Sequence, residues 1–236
     1  APSRKPPLKS FSFIKTVRTV IVIETESGLS RMAGPAAAEL PLILASGSAI
    51  RAQLLRGAGL EFAVETAPVD EAEIRLALQA EGASAGDTAI ALAEAKALRV
   101  SRKRPGALVI GCDQMLDCNG VWFEKPGDRD HARAHLQALR GRDHTLSSGI
   151  VVARDGQRIW HQLSTARLTM RPLTEAFIDA YLEAAGDSIL NSVGAYQLEG
   201  LGAQLFSRIE GDYFTILGLP LLPLLDFLRH QGLLKR

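Results

Sequence analysis

The chain predicts an α/β fold built on a mixed sheet, and three observations lead there. From Leu40 onward, short runs of β-branched and aliphatic residues alternate with stretches of helical periodicity. One of those runs, Ala107-Leu-Val-Ile-Gly111, is apolar throughout, as a strand buried on both faces must be. Two pairs of runs meet at Asn119-Gly120 and Asp155-Gly156, dipeptides that favour tight antiparallel hairpins. With 236 residues, 47% hydrophobic and 22% charged, the chain can fill one large domain or two small lobes sharing a cleft. The same composition excludes wholesale disorder, collagen and coiled coil.

Leu40-Pro-Leu-Ile-Leu-Ala45 reads as a buried strand, and Ser46-Gly47-Ser48 as the turn into a helix carrying Ile50, Leu54 and Leu55, with Ser48 as N-cap. Phe62 and Val64 mark a second strand. Asp70-Glu71 lies in the loop leading to a helix through Leu78, which Gly82 to Gly86 interrupts. A long helix is expected from about Asp87 to the Arg102–Pro105 stop, followed by the Ala107–Gly111 strand. Val121 to Glu124 should fold back on that strand through the Asn119-Gly120 turn, and Asp128 should cap a helix to Leu139 that Gly141 closes. Thr145–Ala153 and Arg158–Arg171 form the second hairpin. Thr174 caps an amphipathic helix ending at Gly186, Val193–Gly200 reads as a binding loop, Ala203–Ile209 as a strand and Pro220–Leu234 as a closing helix. No internal repeat or low-complexity tract occurs within 40–236.

Residues 1–31 stand apart. They are rich in Lys, Ser, Pro and Thr, lack an initiating Met and precede Met32, so they read as a poorly ordered extension or a mis-assigned start. Their apolar run, Thr19 to Glu24, is too short for the core of a secretory signal. No stretch approaches the roughly 18 consecutive apolar residues of a membrane-spanning helix. Lys plus Arg number 27 against 26 Asp plus Glu, a net charge of +1, which offers no global attraction to a nucleic-acid polymer or an acidic membrane. An anionic ligand must therefore be held locally. Cys112 and Cys118 are too few for a disulfide framework and fit a reducing compartment, hence the cytoplasm.

Two local features point to chemistry. Leu44-Ala-Ser46-Gly47-Ser48 with Arg51 places free backbone N–H groups, hydroxyls and a guanidinium where a helix begins, which is an anion site by geometry; the plain alternative is an ordinary serine-capped helix. Gly111-Cys-Asp113-Gln114 sets a carboxylate at the C-terminal end of a buried strand, where open α/β sheets display ligand-handling groups. Asp113 there can hold a divalent metal or take a proton from water; the alternative is a carboxylate satisfied by backbone amides. Lys125 across the hairpin, Glu71 and Lys96 complete a kit for metal-assisted attack on a phosphate chain, although spacing does not establish that they converge. Familiar motifs are missing: the P-loop, the nucleophile elbow and a complete dinucleotide fingerprint. His131 and His135, at i and i+4, lack the glutamate of a metalloprotease and read as a solvated helix face; Cys112 reads as a small buried side chain.

Taken together, Leu42-Ile-Leu-Ala-Ser-Gly-Ser48 with Arg51, Leu54 and Leu55, then Asp70-Glu71, Lys96-Ala97, Gly111-Cys-Asp113, Glu124-Lys125-Pro126, Leu139-Arg-Gly141 and Gly218-Leu-Pro220 resemble the Maf family of nucleoside triphosphate pyrophosphatases, in order from about Leu40 to the C-terminus. The resemblance implies an elongated mixed-sheet fold with two lobes flanking a nucleotide cleft. It also implies hydrolysis of a triphosphate to monophosphate and pyrophosphate with a divalent cation, Mg²⁺ or Mn²⁺, and a homodimer. It places Asp113 at the catalytic position, with Ser48, Arg51, Glu71, Lys96 and Lys125 lining the triphosphate and metal site and Glu71 and Asp113 as metal ligands.

Gln114 and Glu199 match the branch of the family acting on 7-methyl-GTP, whose members carry an aromatic residue where Ile50 stands here. The branch preferring dTTP and UTP has Arg at position 50, Thr at 114 and Gln at 199. A carboxylate such as Glu199 can accept from a guanine N1–H and amine, which favours a purine-type base. The family's Asp-Lys before Ala-Gly is Asn191-Ser192 here, and Glu94 lies one place early relative to its Glu-Lys pair. A second expectation, from the family's link with septum formation, is a nucleotide-binding regulator of cell division without catalysis.

Overall fold

A computed structural model describes residues 41–66 and 68–235; the extension expected at 1–31 and the Leu40 start of the first strand lie outside the described residues. The chain enters through strand β1 (Leu42–Leu44), turns into helix α1 (Ala49–Gly57) and returns as a two-residue strand, β2 (Ala63–Val64). Helices α2 (Glu71–Ala80) and α3 (Ala85–Ser101) lead to the long strand β3 (Leu108–Cys118), which hairpins into β4 (Val121–Phe123). Helix α4 (Arg129–Leu139), the strands β5 (Asp143–Arg154) and β6 (Gln157–Met170), and helix α5 (Glu175–Ala185) follow. Short 3₁₀ turns, then β7 (Phe206–Glu210), α6 (Tyr213–Ile216) and α7 (Leu221–His230), complete the chain.

The strands form one mixed sheet in the order β2-β1-β3-β5-β6-β7, with β1 parallel to β2 and β3 and the later neighbours antiparallel. Both hairpins form as the dipeptides demand, with Asn119 and Asp155 at φ +55° and +51°. Ser48, Asp128 and Thr174 occupy the N-cap positions of α1, α4 and α5; Asp128 and Thr174 accept backbone N–H bonds there, and the Ser48 hydroxyl accepts none. Among the described residues no helix is long and apolar enough to cross a membrane.

Several boundaries differ from expectation. Helix α3 starts two residues before Asp87, because Ser84 accepts from Asp87 N and takes the cap. The closing helix ends at His230, short of Leu234, and Ala203 lies in a 3₁₀ turn (Leu201–Leu205) ahead of β7. The expected loop at Val193 opens as a 3₁₀ turn over Val193–Ala195, and α6, capped by Asp212 through Thr215 N, was not expected.

The largest correction concerns β3. Glycine at 111 suggested a strand end, yet the strand continues to Cys118, paired with β5 along its length, so Asp113 is a mid-strand residue. The glycine serves a close approach instead. A Cβ on Gly111 would collide with the Ala93 carbonyl oxygen of α3, and one on Gly149, directly opposite Asp113 on β5, would lie 2.7 Å from the Ala89 carbonyl. Ala89, Ala93 and Ala97 are fully buried against this surface, so helix backbone meets sheet backbone around Asp113.

On the opposite face of β3, side chains alternate into two apolar clusters. Leu108, Ile110 and Cys112 join Ile150 and Val152 of β5 beneath α1 and α7. Leu116 and Cys118 join Leu146 beneath α4 and α5. Between the clusters lie Gln114 and Ser148, which face each other in the β3–β5 register. On its other flank β3 pairs with β1 over Leu108–Ile110 and with β4 over Leu116–Cys118, leaving Gly111–Met115 without a strand partner among the described residues. One flank of the sheet thus has a gap between β1 and β4, with Asp113 at its middle.

Two outcomes follow. Gly111→Ala should lower stability by roughly 2 kcal/mol, within the range for overpacking, while Gly57→Ala, at a helix end with open space around it, should leave urea unfolding unchanged or slightly improved. His144, buried with Nε2 2.8 Å from the Tyr196 hydroxyl, has its pKa lowered by burial from 6.5 to about 4, against a smaller opposing pull from Asp143. Below pH 6.5 the unfolded chain takes up a proton that the folded chain refuses until about pH 4, so stability falls across that window. The loss is on the order of 3 kcal/mol. His144→Phe should flatten it, read as urea midpoints of variant and wild type at pH 7 and 4.5; a pH-independent difference between them would show that His144 does not fold as the neutral imidazole.

Candidate active site

Asp113 is buried in the surface that α3 covers, and the helix answers it with one cation. Lys96 Nζ lies 2.6 Å from Asp113 Oδ1 and 2.9 Å from Glu71 Oε1, a single ammonium bridging two carboxylates. Glu71 is the first residue of α2, placed by the Asp70 cap, whose carboxylate accepts from Glu73 N. That helix buries no residue fully and packs through Ile74 against Ala89, Leu92 and Met115. Arg75, one turn along, reaches Glu71 at 3.7 Å and Glu124 at 2.9 Å. The cluster therefore holds Asp113, Glu71 and Glu124 against Lys96 and Arg75, an excess of negative charge at the opening of the sheet.

Arg51, expected as a fork for phosphate, bonds largely to the protein itself. Its Nε donates to the Gly218 carbonyl at 2.8 Å, and its Nη1 to the Cys112 carbonyl at 2.8 Å and to Ser46 Oγ at 3.2 Å. The Cys112 carbonyl belongs to the stretch of β3 that lacks a strand partner, so the guanidinium satisfies backbone that β1 and β4 leave open. Ser48 N donates to Ser46 Oγ at 3.3 Å, and the unengaged Ser48 hydroxyl remains at the start of α1. The first turn of α1 leaves backbone N–H groups without intrahelical partners beside that hydroxyl.

Gln114 and Asp113, adjacent in sequence, point to opposite faces of the strand. Gln114 Nε2 donates to Ser148 Oγ (2.9 Å), the Thr215 carbonyl (3.0 Å) and the Ile216 carbonyl (3.1 Å), and Ser148 Oγ donates to the Thr215 carbonyl at 2.7 Å. Two carbonyls fix the amide with its nitrogen towards α6, which leaves Oε1 as its remaining acceptor. Glu199 is exposed on the turn after Tyr196, beside Tyr181. The Tyr181 hydroxyl donates to the Ala195 carbonyl at 3.2 Å and has its pKa raised by burial and, in lesser part, by the Glu199 charge. Lys125 is exposed just past β4 and has no ion-pair partner among the described residues. The structure thus gathers Asp113, Lys96 and Glu71 into one cluster, and puts Ser48 and Arg51 on the neighbouring helix. Gln114 lies on the opposite strand face, and Glu199 on the turn after Tyr196.

Cys112 has its thiol pushed up to about 11 by burial, only partly offset by Arg51 and Lys96, which makes it an inert core residue as expected. Cys112 and Cys118 are both free. His131 is exposed beside Asp128 at 2.7 Å, while His135 packs edge-on against Phe123. Among the described residues no three His, Cys, Asp or Glu side chains gather as metal ligands. Two carboxylates converging on one cation are nevertheless a fitting donor set for Mg²⁺ or Mn²⁺, which complete their shells with water and phosphate oxygens. Sequence reasoning missed Arg75 and Ser148, and took Glu124 only as part of the Glu124-Lys125-Pro126 motif without a place in the cluster. The i, i+4 spacing of Glu71 and Arg75 was a usable signal, whereas Ser148 carries none without the strand register.

Fold and site define a mixed-sheet α/β protein with a carboxylate–lysine cluster set beside a helix start. Comparison with known proteins narrows this. The family model described as "Maf-like protein" matches residues 41–231. A nucleoside triphosphate pyrophosphatase of Paramagnetospirillum magneticum is 57% identical over 190 residues, covering 80% of this chain and 98% of the relative. 7-Methyl-GTP pyrophosphatases of Brucella abortus (52% over 190 residues, 80% and 96% covered) and Rhizobium meliloti (53% over 191 residues, 81% and 96% covered) are similarly near. The chain belongs to the Maf family.

Arg51→Lys should show what the guanidinium holds. The two carbonyls are reached from two different nitrogens of the fixed guanidinium plane, which a single ammonium nitrogen does not reproduce, so one or two charge-assisted bonds are weakened or lost and urea unfolding should report a loss of about 2–4 kcal/mol. An unchanged midpoint would mean that these bonds contribute nothing net.

Proposed function

We propose that the chain hydrolyses nucleoside triphosphates to nucleoside monophosphate and pyrophosphate, with Asp113 as the group that receives the proton of attacking water. The observation that carries this is the placement of Asp113, at the centre of the stretch of β3 that has no strand on its β1/β4 flank and in contact with Lys96, in a chain whose relatives are named for that reaction. The triphosphate would lie on the Ser46–Ser48 loop and the first turn of α1, where unpaired N–H groups and the Ser48 hydroxyl offer donors. Lys96 and Lys125 would neutralise the β- and γ-phosphates, and Arg51 would act mainly by holding the loop at Gly218.

Glu71 and Asp113 would hold the divalent cation, which supplies Lewis-acid polarisation of the α-phosphate. Water adds its oxygen to the α-phosphorus, the bond from that phosphorus to the bridging oxygen breaks, Asp113 takes the proton, and pyrophosphate leaves. Gln114 Oε1 and the Glu199 carboxylate are both acceptors, which suits a base presenting donors, a guanine-type edge rather than an acceptor-rich one. The naming of several relatives for 7-methyl-GTP supports the same choice. A cytoplasmic homodimer is part of this reading, and the two free cysteines accord with a reducing compartment.

Mg²⁺-dependent pyrophosphate release should be measured across the common nucleoside triphosphates and 7-methyl-GTP. Turnover should be selective for guanine-type bases, and Asp113→Asn should reduce it by about 10²–10⁴-fold with the folded state retained. A folded wild-type protein that binds triphosphate tightly yet releases no pyrophosphate would replace this reading with that of a nucleotide-binding regulator.

A further inference from the structure

The Lys96 ammonium already occupies the position between Glu71 and Asp113 that a divalent cation would claim. Its bonds run to Asp113 Oδ1 and Glu71 Oε1, the same class of hard oxygen that Mg²⁺ and Mn²⁺ require, and its side chain is only 12% exposed. A mostly buried lysine between two carboxylates is costly to build and gains little stability over an apolar replacement. Its position is also tightly prescribed, because Lys96 follows Ala93 on the stretch of α3 that Gly111 admits to the sheet. We propose that Lys96 is a built-in counter-ion that keeps the Glu71–Asp113 pair closed to free divalent cations and yields it when the phosphate oxygens of an incoming nucleotide take the ammonium.

The inference rests on the reading of Glu71 and Asp113 as metal ligands. It adds an order of events: the chain alone holds metal poorly, and metal and triphosphate are taken up together. Charge balance points the same way. With Lys96 in place, Asp113, Glu71 and Glu124 are answered by Lys96 and Arg75, leaving a single net negative charge to attract a dication. Once the ammonium moves to phosphate, both carboxylates face the opening without a partner other than Arg75.

Mn²⁺ alone is the probe, titrated at fixed ionic strength without nucleotide and followed by the electron paramagnetic resonance signal of the free ion. Wild type should bind weakly. Lys96→Gln should bind about tenfold more tightly or better, since a full positive charge is removed within contact distance of both ligands. Adding Asp113→Asn to that variant should abolish the gain.

Should Lys96→Gln fail to fold, Lys96→Met, which removes the same charge, fills the space of the lysine stem and keeps both carboxylates, gives the same readout. Equal Mn²⁺ affinity with and without Lys96, or a gain that survives Asp113→Asn, would overturn the proposal. Neither result bears on whether the enzyme releases pyrophosphate, so failure of the counter-ion and failure of the proposed activity are told apart.

Discussion

Helix α3 lies against β3 and β5 with backbone meeting backbone at Gly111 and Gly149, and the chemistry of the site depends on that contact distance. A lysine side chain reaches Asp113 in a bridging geometry only because Ala89, Ala93 and Ala97 present nothing larger than a methyl group to the sheet. A bulkier residue on either surface would lift the helix, and with it Lys96 and the α2 carboxylate that Lys96 restrains. Packing and electrostatics are therefore one problem here. The small residues of the core are the means by which a charge is delivered to a buried strand.

The opening in the sheet is the second consequence of β3. A strand of eleven residues outlasts both of its neighbours on one flank, pairing with β1 at one end and β4 at the other. The gap leaves backbone groups to be satisfied by something other than a strand, and Arg51 does so at Cys112 while also holding Gly218. Loop, helix start and the turn after α6 are thereby fastened around the gap from one guanidinium.

Much of this was legible in the chain. Capped helices, the two Asx-Gly hairpins and the apolar centre of β3 each carry local signals, because a cap or a tight turn depends on residues within four positions of one another. Residue types for the site were legible too, and Asp113, Lys96 and Glu71 do converge. What escaped is non-local. Gly111 looks like a terminator unless the alanine face of a helix from elsewhere in the chain is known to lie on it. Arg51 looks like a phosphate ligand because backbone carbonyls, its actual partners, leave no mark in a sequence. Helix α6 is a single turn held by one Asp212 cap and the docking of Thr215, with too few residues for a period to show.

The Gln114–Ser148 rung divides the shared face of β3 and β5 into two apolar clusters that use the same strands but different side chains. Substitutions that repack one cluster have few neighbours in the other, so their energetic effects should add rather than interfere. The cluster holding Tyr181 and Tyr196 can thus change in sequence without disturbing the cluster beneath α1 and α7. A polar seam one residue pair wide lets either cluster be repacked while the packing of the other stays under separate constraint.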